Sequence, residues 1–170
     1  MSPTLQDINA LTGQVFVARF GDIAEHSSWV AEQAEKARPY ATQGAMVQAF
    51  QRAILDADGS LQTALILAHP DLAGRAALRG EVADESKSEQ KGAGLDTLTV
   101  EELERFHTLN TAYREQFGFP FIVAVTGATK YQIIEAFENR LGGTMEEERL
   151  TAIAQILRIV RFRLEARVSK

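Results

Sequence analysis

Several side chains in this sequence have types and spacings that could carry chemistry. His69 closes the apolar run Leu65-Ile66-Leu67-Ala68 and precedes Pro70. Proline disfavours helical geometry in the residue before it, so a helix ending here leaves His69 where the backbone turns away from a rigid element. An imidazole so placed could give and take a proton near neutral pH. The position equally suits a histidine bonded to the carbonyls of the preceding helix end, where a partial negative charge favours it. Ser86, Glu89 and Gln90 stand at i, i+3 and i+4, so on a helix they would offer a hydroxyl, a carboxylate and an amide to one point. Ser-x-x-Glu is also the capping-box pattern, with Ser86 as cap and Glu89 folding back. A carboxylate beside an imidazole would hold one tautomer and raise its basicity, but spacing alone does not say whether the two meet. Arg163 falls beside Ile156 and Ile159 at the border of an apolar stripe. Its planar fork could bind a carboxylate through two hydrogen bonds, or its stem could cover apolar surface with the head in water. Arg158 falls on the opposite side and should be solvated.

The other candidates are plainer. His26, in Glu25-His26-Ser27-Ser28-Trp29, reads as a loop before a helix capped by Ser27 or Ser28. His107 sits on a helix flank, and Asp56-Ala57-Asp58-Gly59 reads as turn chemistry with too few ligands for a calcium loop. The chain has 170 residues, no Cys and only those three His, at spacings unlike a short helical ligand pair. Disulfides, thiolate nucleophiles, thiolate zinc and iron–sulfur clusters are thereby excluded. An oxygen-ligand metal site stays open, but the expectation is acid–base chemistry without a cofactor, or no chemistry. A formal net charge of −5 is a poor match for nucleic acid or an anionic membrane. No apolar run approaches the roughly 18 residues of a spanning helix. Met1-Ser2-Pro3-Thr4-Leu5 lacks a signal-peptide layout, and Val168-Ser169-Lys170 lacks the closing Leu of the Ser-Lys-Leu address. The expectation is a soluble cytoplasmic protein with a small-molecule substrate.

The elements that must position these residues read as helices. The length suits one domain over residues 1–170. Val15, Phe16, Ala18, Phe20 and Ile23 open a first amphipathic segment; Trp29, Val30, Ala34 and Ala37 make a second that stops near Arg38 before Pro39. Met46, Val47, Phe50 and Ile54 show a buried helical stripe, and Leu61 to Ala68 is read as helix although periodicity alone would allow a strand. Pro70 suits the opening of a further helix, Asp71 to Arg79. Glu81 to Asp96 reads as a polar surface loop. Thr99-Val100-Glu101-Glu102 and Thr144-Met145-Glu146-Glu147 are capping boxes. The first leads into Leu103, Phe106, Asn110, Tyr113 and Phe117, stopped by Gly118; the second into Leu150, Ile153, Leu157, Val160 and Leu164. Phe121-Ile122-Val123-Ala124-Val125 is β-prone, yet after Gly118 and Pro120 an extended buried loop fits equally. The fold class is all-α.

Taken in order, the motifs resemble one known family. His69-Pro70-Asp71-Leu72-Ala73-Gly74, then Ser86-x-x-Glu89-Gln90 with Gly94-Leu95, resembles the 2-oxo-4-hydroxy-4-carboxy-5-ureidoimidazoline (OHCU) decarboxylases of the urate-to-allantoin pathway. So does Leu109-Asn110-x-x-Tyr113-x-x-x-Phe117-Gly118-Phe119-Pro120-Phe121-Ile122, with Glu25-His26-Ser27-Ser28-Trp29-Val30 like the family's N-terminal signature and Arg163-Leu164 like its closing pair. The likeness spans residues 14–164. It implies a compact all-α homodimer that decarboxylates OHCU to (S)-allantoin with no metal or organic cofactor. It implies that His69 is the catalytic histidine and Glu89 its carboxylate partner. It implies further that Pro70, Ser86, Gln90 and Arg163 bind substrate, and that the backbone of Phe121, Ile122 and Val123 contacts its ring. The missing peroxisomal address fits a bacterial-type cytoplasmic member. Two other functions stay open on the residues themselves: a cofactor-free lyase or hydrolase acting on a related ureido or imidazole compound, and a non-catalytic helical binding module using residues 81–96.

Overall fold

The computed structural model describes residues 2–74 and 84–169, and every regular element among the described residues is a helix. In chain order these are α1 (Leu5–Asn9), α2 (Gly13–Phe20), α3 (Trp29–Glu35), α4 (Gln43–Leu55), α5 (Gly59–Ala68), α6 (Asp84–Gly92), α7 (Val100–Phe117), α8 (Lys130–Arg140) and α9 (Met145–Arg167). The all-α expectation holds. Packing divides the chain into two units, one running to Ala68 and resuming at Leu157, the other His69–Ile156.

The first unit is built around Phe16, Phe20 and Phe50, all at most 1% exposed. Phe16 lies 5.0 Å from Phe20 and 6.1 Å from Phe50, ring centre to ring centre. Burying each such side chain is worth about 1.5–3 kcal/mol. Helix starts follow local chemistry: the hydroxyls of Thr12 and Thr42 accept from Val15 and Ala45 N–H. Asp58 caps α5, accepting from the amides of Ser60 and Leu61, in line with the turn chemistry expected there. Ser28 stands at the N-cap of α3 as expected, but its side chain makes no capping hydrogen bond. Ser27 Oγ donates to Glu25 O and Ser28 Oγ to Glu32 instead. His26 is exposed, with φ +45°.

The second unit carries its own aromatic core. Phe121 stacks on Phe137 at 3.6 Å, and Tyr113 meets Phe121 edge-on at 5.3 Å. Both capping boxes form: Thr99 with Glu102, and Thr144 with Glu147. Gly118, at φ +76°, stops α7 in the left-handed conformation that glycine adopts without a Cβ penalty. Residues 121–125 form no strand and run as a mostly buried loop. Leu150 corrects the expected α9 stripe, being 66% exposed while Glu148 is 3% exposed. Ile153, Val160 and Leu164 are buried as expected.

Candidate active site

α5 ends at Ala68, and His69 follows it outside the helix, only 6% exposed. Pro70 thus breaks the helix where its effect on the preceding residue says it should. It does not at once open another. Residues 71–74 make a turn, closed by Gly74 N–H donating to Asp71 O at 3.3 Å; the rest of the helix expected to reach Arg79 lies outside the described residues. Ala73 sits in the turn at φ +50°. A residue with a Cβ pays about 1–2 kcal/mol for that region, so neighbouring bonds must hold it there.

Those bonds come from α6 and α7. Gln90 Oε1 accepts from Ala73 N–H at 3.0 Å. Asn110 Nδ2 donates to Leu72 O at 2.8 Å, and His107 Nε2 donates to Ala73 O at 3.2 Å. Arg114 Nε lies 2.9 and 3.2 Å from the two carboxylate oxygens of Asp71. Beside the turn is a cavity of about 500 Å³, bounded by Pro70, Asp71 and Gly74 with His107, Asn110 and Arg114.

The polar stretch expected as a loop is helical over Asp84–Gly92; residues 81–83 of it lie outside the described residues. The helix begins two residues before Ser86, so Ser86 is not its cap and the capping-box reading falls. Ser86 and Gln90, one turn apart, are 3% and 7% exposed, and Glu89 is half-buried. Polar side chains buried on an otherwise hydrophilic helix are there for their hydrogen bonds rather than for packing. The structure joins Gln90 to the turn that follows His69.

Arg140 braces Phe121 and Ile122. Arg140 Nη1 donates to Ile122 O at 2.6 Å, Nε donates to Glu148 at 2.9 Å, and the guanidinium lies 4.3 Å over the Phe121 ring. The Tyr113 hydroxyl donates to the same Glu148 oxygen. Burial, reinforced by that carboxylate, pushes the Tyr113 phenol well above its ordinary value, so it stays a proton donor. Gln155 Oε1 accepts from Ala124 N–H at 3.0 Å.

Arg163 belongs to the first unit and is not a snorkelling side chain. It is 4% exposed, donating through Nη2 to Glu25 at 2.9 Å and through Nη1 to Ile23 O at 3.2 Å. Arg158 is exposed as expected. Reasoning from sequence missed Glu25 as its partner and missed the roles of His107, Asn110, Arg114 and Arg140. A signal existed for one group: residues 107, 110 and 114 fall on one helical face. Among the described residues no cluster of three His, Cys, Asp or Glu side chains is placed to hold a metal ion, and no helix is long and apolar enough to cross a membrane.

The family model described as OHCU decarboxylase matches residues 9–165. The chain belongs to the OHCU decarboxylase family. A relative from Haloferax volcanii named 2-oxo-4-hydroxy-4-carboxy-5-ureidoimidazoline decarboxylase is 41% identical over 166 residues, which cover 98% of this chain and 96% of the relative. The uric acid degradation bifunctional protein PucL of Bacillus subtilis is 38% identical over 161 residues, 95% of this chain but 32% of that longer protein. A crystal structure of (S)-allantoin synthase is 31% identical with a TM-score of 0.80; it covers 98% of this chain, which spans 54% of that one. Membership of the OHCU decarboxylase family agrees with the resemblance carried by the His69-Pro70, Ser86-x-x-Glu89-Gln90 and Phe117-Gly118-Phe119-Pro120 motifs.

Proposed function

We propose that the chain is a carboxy-lyase that converts OHCU to (S)-allantoin in urate catabolism, without a cofactor. The observation that carries the reading is a buried imidazole at a helix break, in a member of this family, followed by a turn whose backbone is held by three side chains. His69 is the proton carrier and Glu89 the carboxylate that orients it. In the reaction the bond from the ring carbon to the carboxylate breaks and carbon dioxide leaves. The electron pair passes into the adjoining C=N of the ring, whose nitrogen takes a proton, leaving an enol. As the enol hydroxyl gives up its proton to become a carbonyl, a proton added to one face of the carbon bearing the ureido group sets the S configuration. The substrate supplies its own electron sink, so positioning and proton transfer are what the protein must add. Ser86 and Gln90 hold polar atoms of the substrate, Pro70 and the backbone of Phe121, Ile122 and Val123 bound its ring, and Arg163 anchors an anionic or carbonyl group. The working form is a cytoplasmic homodimer.

The test uses OHCU generated freshly from urate, with carbon dioxide release and the circular dichroism of chiral allantoin as readouts. Wild type is expected to form (S)-allantoin faster than spontaneous decay. His69→Asn and Glu89→Gln are expected to lower turnover by about 10²–10⁴-fold, the usual worth of general acid–base help. Wild-type rates in either variant would defeat the assignment. A wild-type protein inert toward OHCU but active on another ureido compound would move the substrate, and one that binds without turnover would leave a binding module.

A further inference from the structure

Successive residues of the turn after Pro70 are each held by one stripe of α7, read in the opposite direction. Arg114 holds Asp71, Asn110 holds Leu72, and His107 holds Ala73. The three lie on one face of the helix, at i, i+3 and i+7. With Gln90 taking the Ala73 amide, both polar groups of the left-handed residue are engaged. The centre of the stripe has an unusual cost. Asn110 is 6% exposed, and its buried Oδ1 has no hydrogen-bond partner among the described residues. An apolar residue of similar size would avoid that orphaned acceptor, so the amide is justified here by its one donor, aimed at Leu72 O.

We propose that His107, Asn110 and Arg114 form a clamp that sets the orientation of His69, with Asn110 as its central positioning residue. The proposal rests on the reading of His69 as proton carrier. Pro70 makes the coupling direct, because its ring locks φ and leaves few soft bonds between the clamped turn and the imidazole. Proton transfer is sensitive to such placement, and a misplacement of about 1 Å can cost on the order of 10²-fold in rate. Because the clamp acts through His69, its effect is expected on the chemical step more than on substrate capture.

The experiment compares wild type, His69→Asn, Asn110→Leu, Asn110→Asp, His107→Leu and His107→Gln on fresh OHCU, each below its melting temperature. Both Asn110 variants are expected to lose about 10–100-fold in kcat with KM changed by less than about threefold, and to form allantoin of lower enantiomeric excess. His107→Leu should lose about tenfold, and His107→Gln, which restores an N–H donor at similar reach, should recover most of that loss. If the Asn110 variants fold poorly, the His107 pair on the helix flank decides. A drop in melting temperature with kcat and enantiomeric excess unchanged would show a merely structural role and overturn the clamp. If wild type fails to turn over OHCU, or His69→Asn matches it, the reading of His69 falls instead, so the two failures are distinguishable.

Discussion

Replacing Arg140 by leucine should destabilise the protein by about 3–5 kcal/mol, the usual cost of removing one partner from a buried ion pair. The structure sets that size. Arg140 and Glu148 side chains are 14% and 4% exposed and 2.9 Å apart. Without the guanidinium, the Glu148 carboxylate keeps the Tyr113 hydroxyl but loses its counter-charge. Ile122 O also loses a charge-assisted bond, worth about 1.5–3 kcal/mol by itself. The two losses share one side chain and do not add, so the ion pair dominates. For a chain of this size each kcal/mol moves the melting midpoint by about 2–4 °C, which gives a fall of roughly 6–20 °C. Urea and thermal unfolding of Arg140→Leu, Glu148→Leu and the double variant would measure it. The double variant removes both charges and should be better than the sum of the singles by about 1–3 kcal/mol. Arg161→Leu is the control, because the Arg161–Glu165 pair is 60% and 37% exposed and should contribute only about 0.3–0.5 kcal/mol. Equal effects of Arg140→Leu and Arg161→Leu would refute the view that a buried ionic cluster braces Phe121 and Ile122.

Glu25→Leu removes the buried carboxylate paired with Arg163 and should cost about 3–5 kcal/mol in urea unfolding; a loss below about 1 kcal/mol would match an exposed pair instead. Asp22 is held below its ordinary carboxylate value first by the hydrogen bond from Arg167. A depressed carboxyl contributes stability that is full above about pH 4 and is lost as pH falls through the lower folded value, so Asp22→Asn should flatten the acid limb of the stability–pH curve and leave its neutral part little changed in shape. Ala73→Gly, at φ +50°, should stay within about 1 kcal/mol of wild type, whereas Ala73→Val should lose about 1–2 kcal/mol or more, because a β-branched residue is a genuine outlier there. Thermal melts of the two variants side by side check the difference.

What could be read from the sequence was local. The stop at Ala68 before His69-Pro70, the boxes at Thr99 and Thr144 and the end at Gly118 each depend on a few neighbouring residues, and each stands where expected. The order of motifs along the chain identified the family, which no single motif or composition count would have done. What escaped depends on distant partners. Glu148 is buried on α9 because Arg140 and Tyr113 compensate it, while periodicity had assigned that helix to Leu150. Arg163 is buried because Glu25 lies 138 residues earlier in the chain. Residues 84–92 read as a loop because α6 is polar throughout, with no apolar stripe to mark a helix. The grip of α7 on residues 71–73 needs both ends of each hydrogen bond, and sequence displays only one at a time.

The bond between Gln90 and Ala73 has a consequence for selectivity. A glutamine amide ordinarily reads either polarity, since it can rotate to offer its oxygen or its nitrogen. Here the oxygen is committed to a buried backbone N–H, and a rotation would set donor against donor. If Gln90 contacts the substrate as proposed, it is a one-way reader. Any ligand atom that meets its Nε2 must be a lone-pair bearer such as a carbonyl, a ring nitrogen or a carboxylate oxygen. An analogue with an N–H at that point would leave two hydrogens opposed, and mismatches of that kind are rejected far more strongly than a missing methylene.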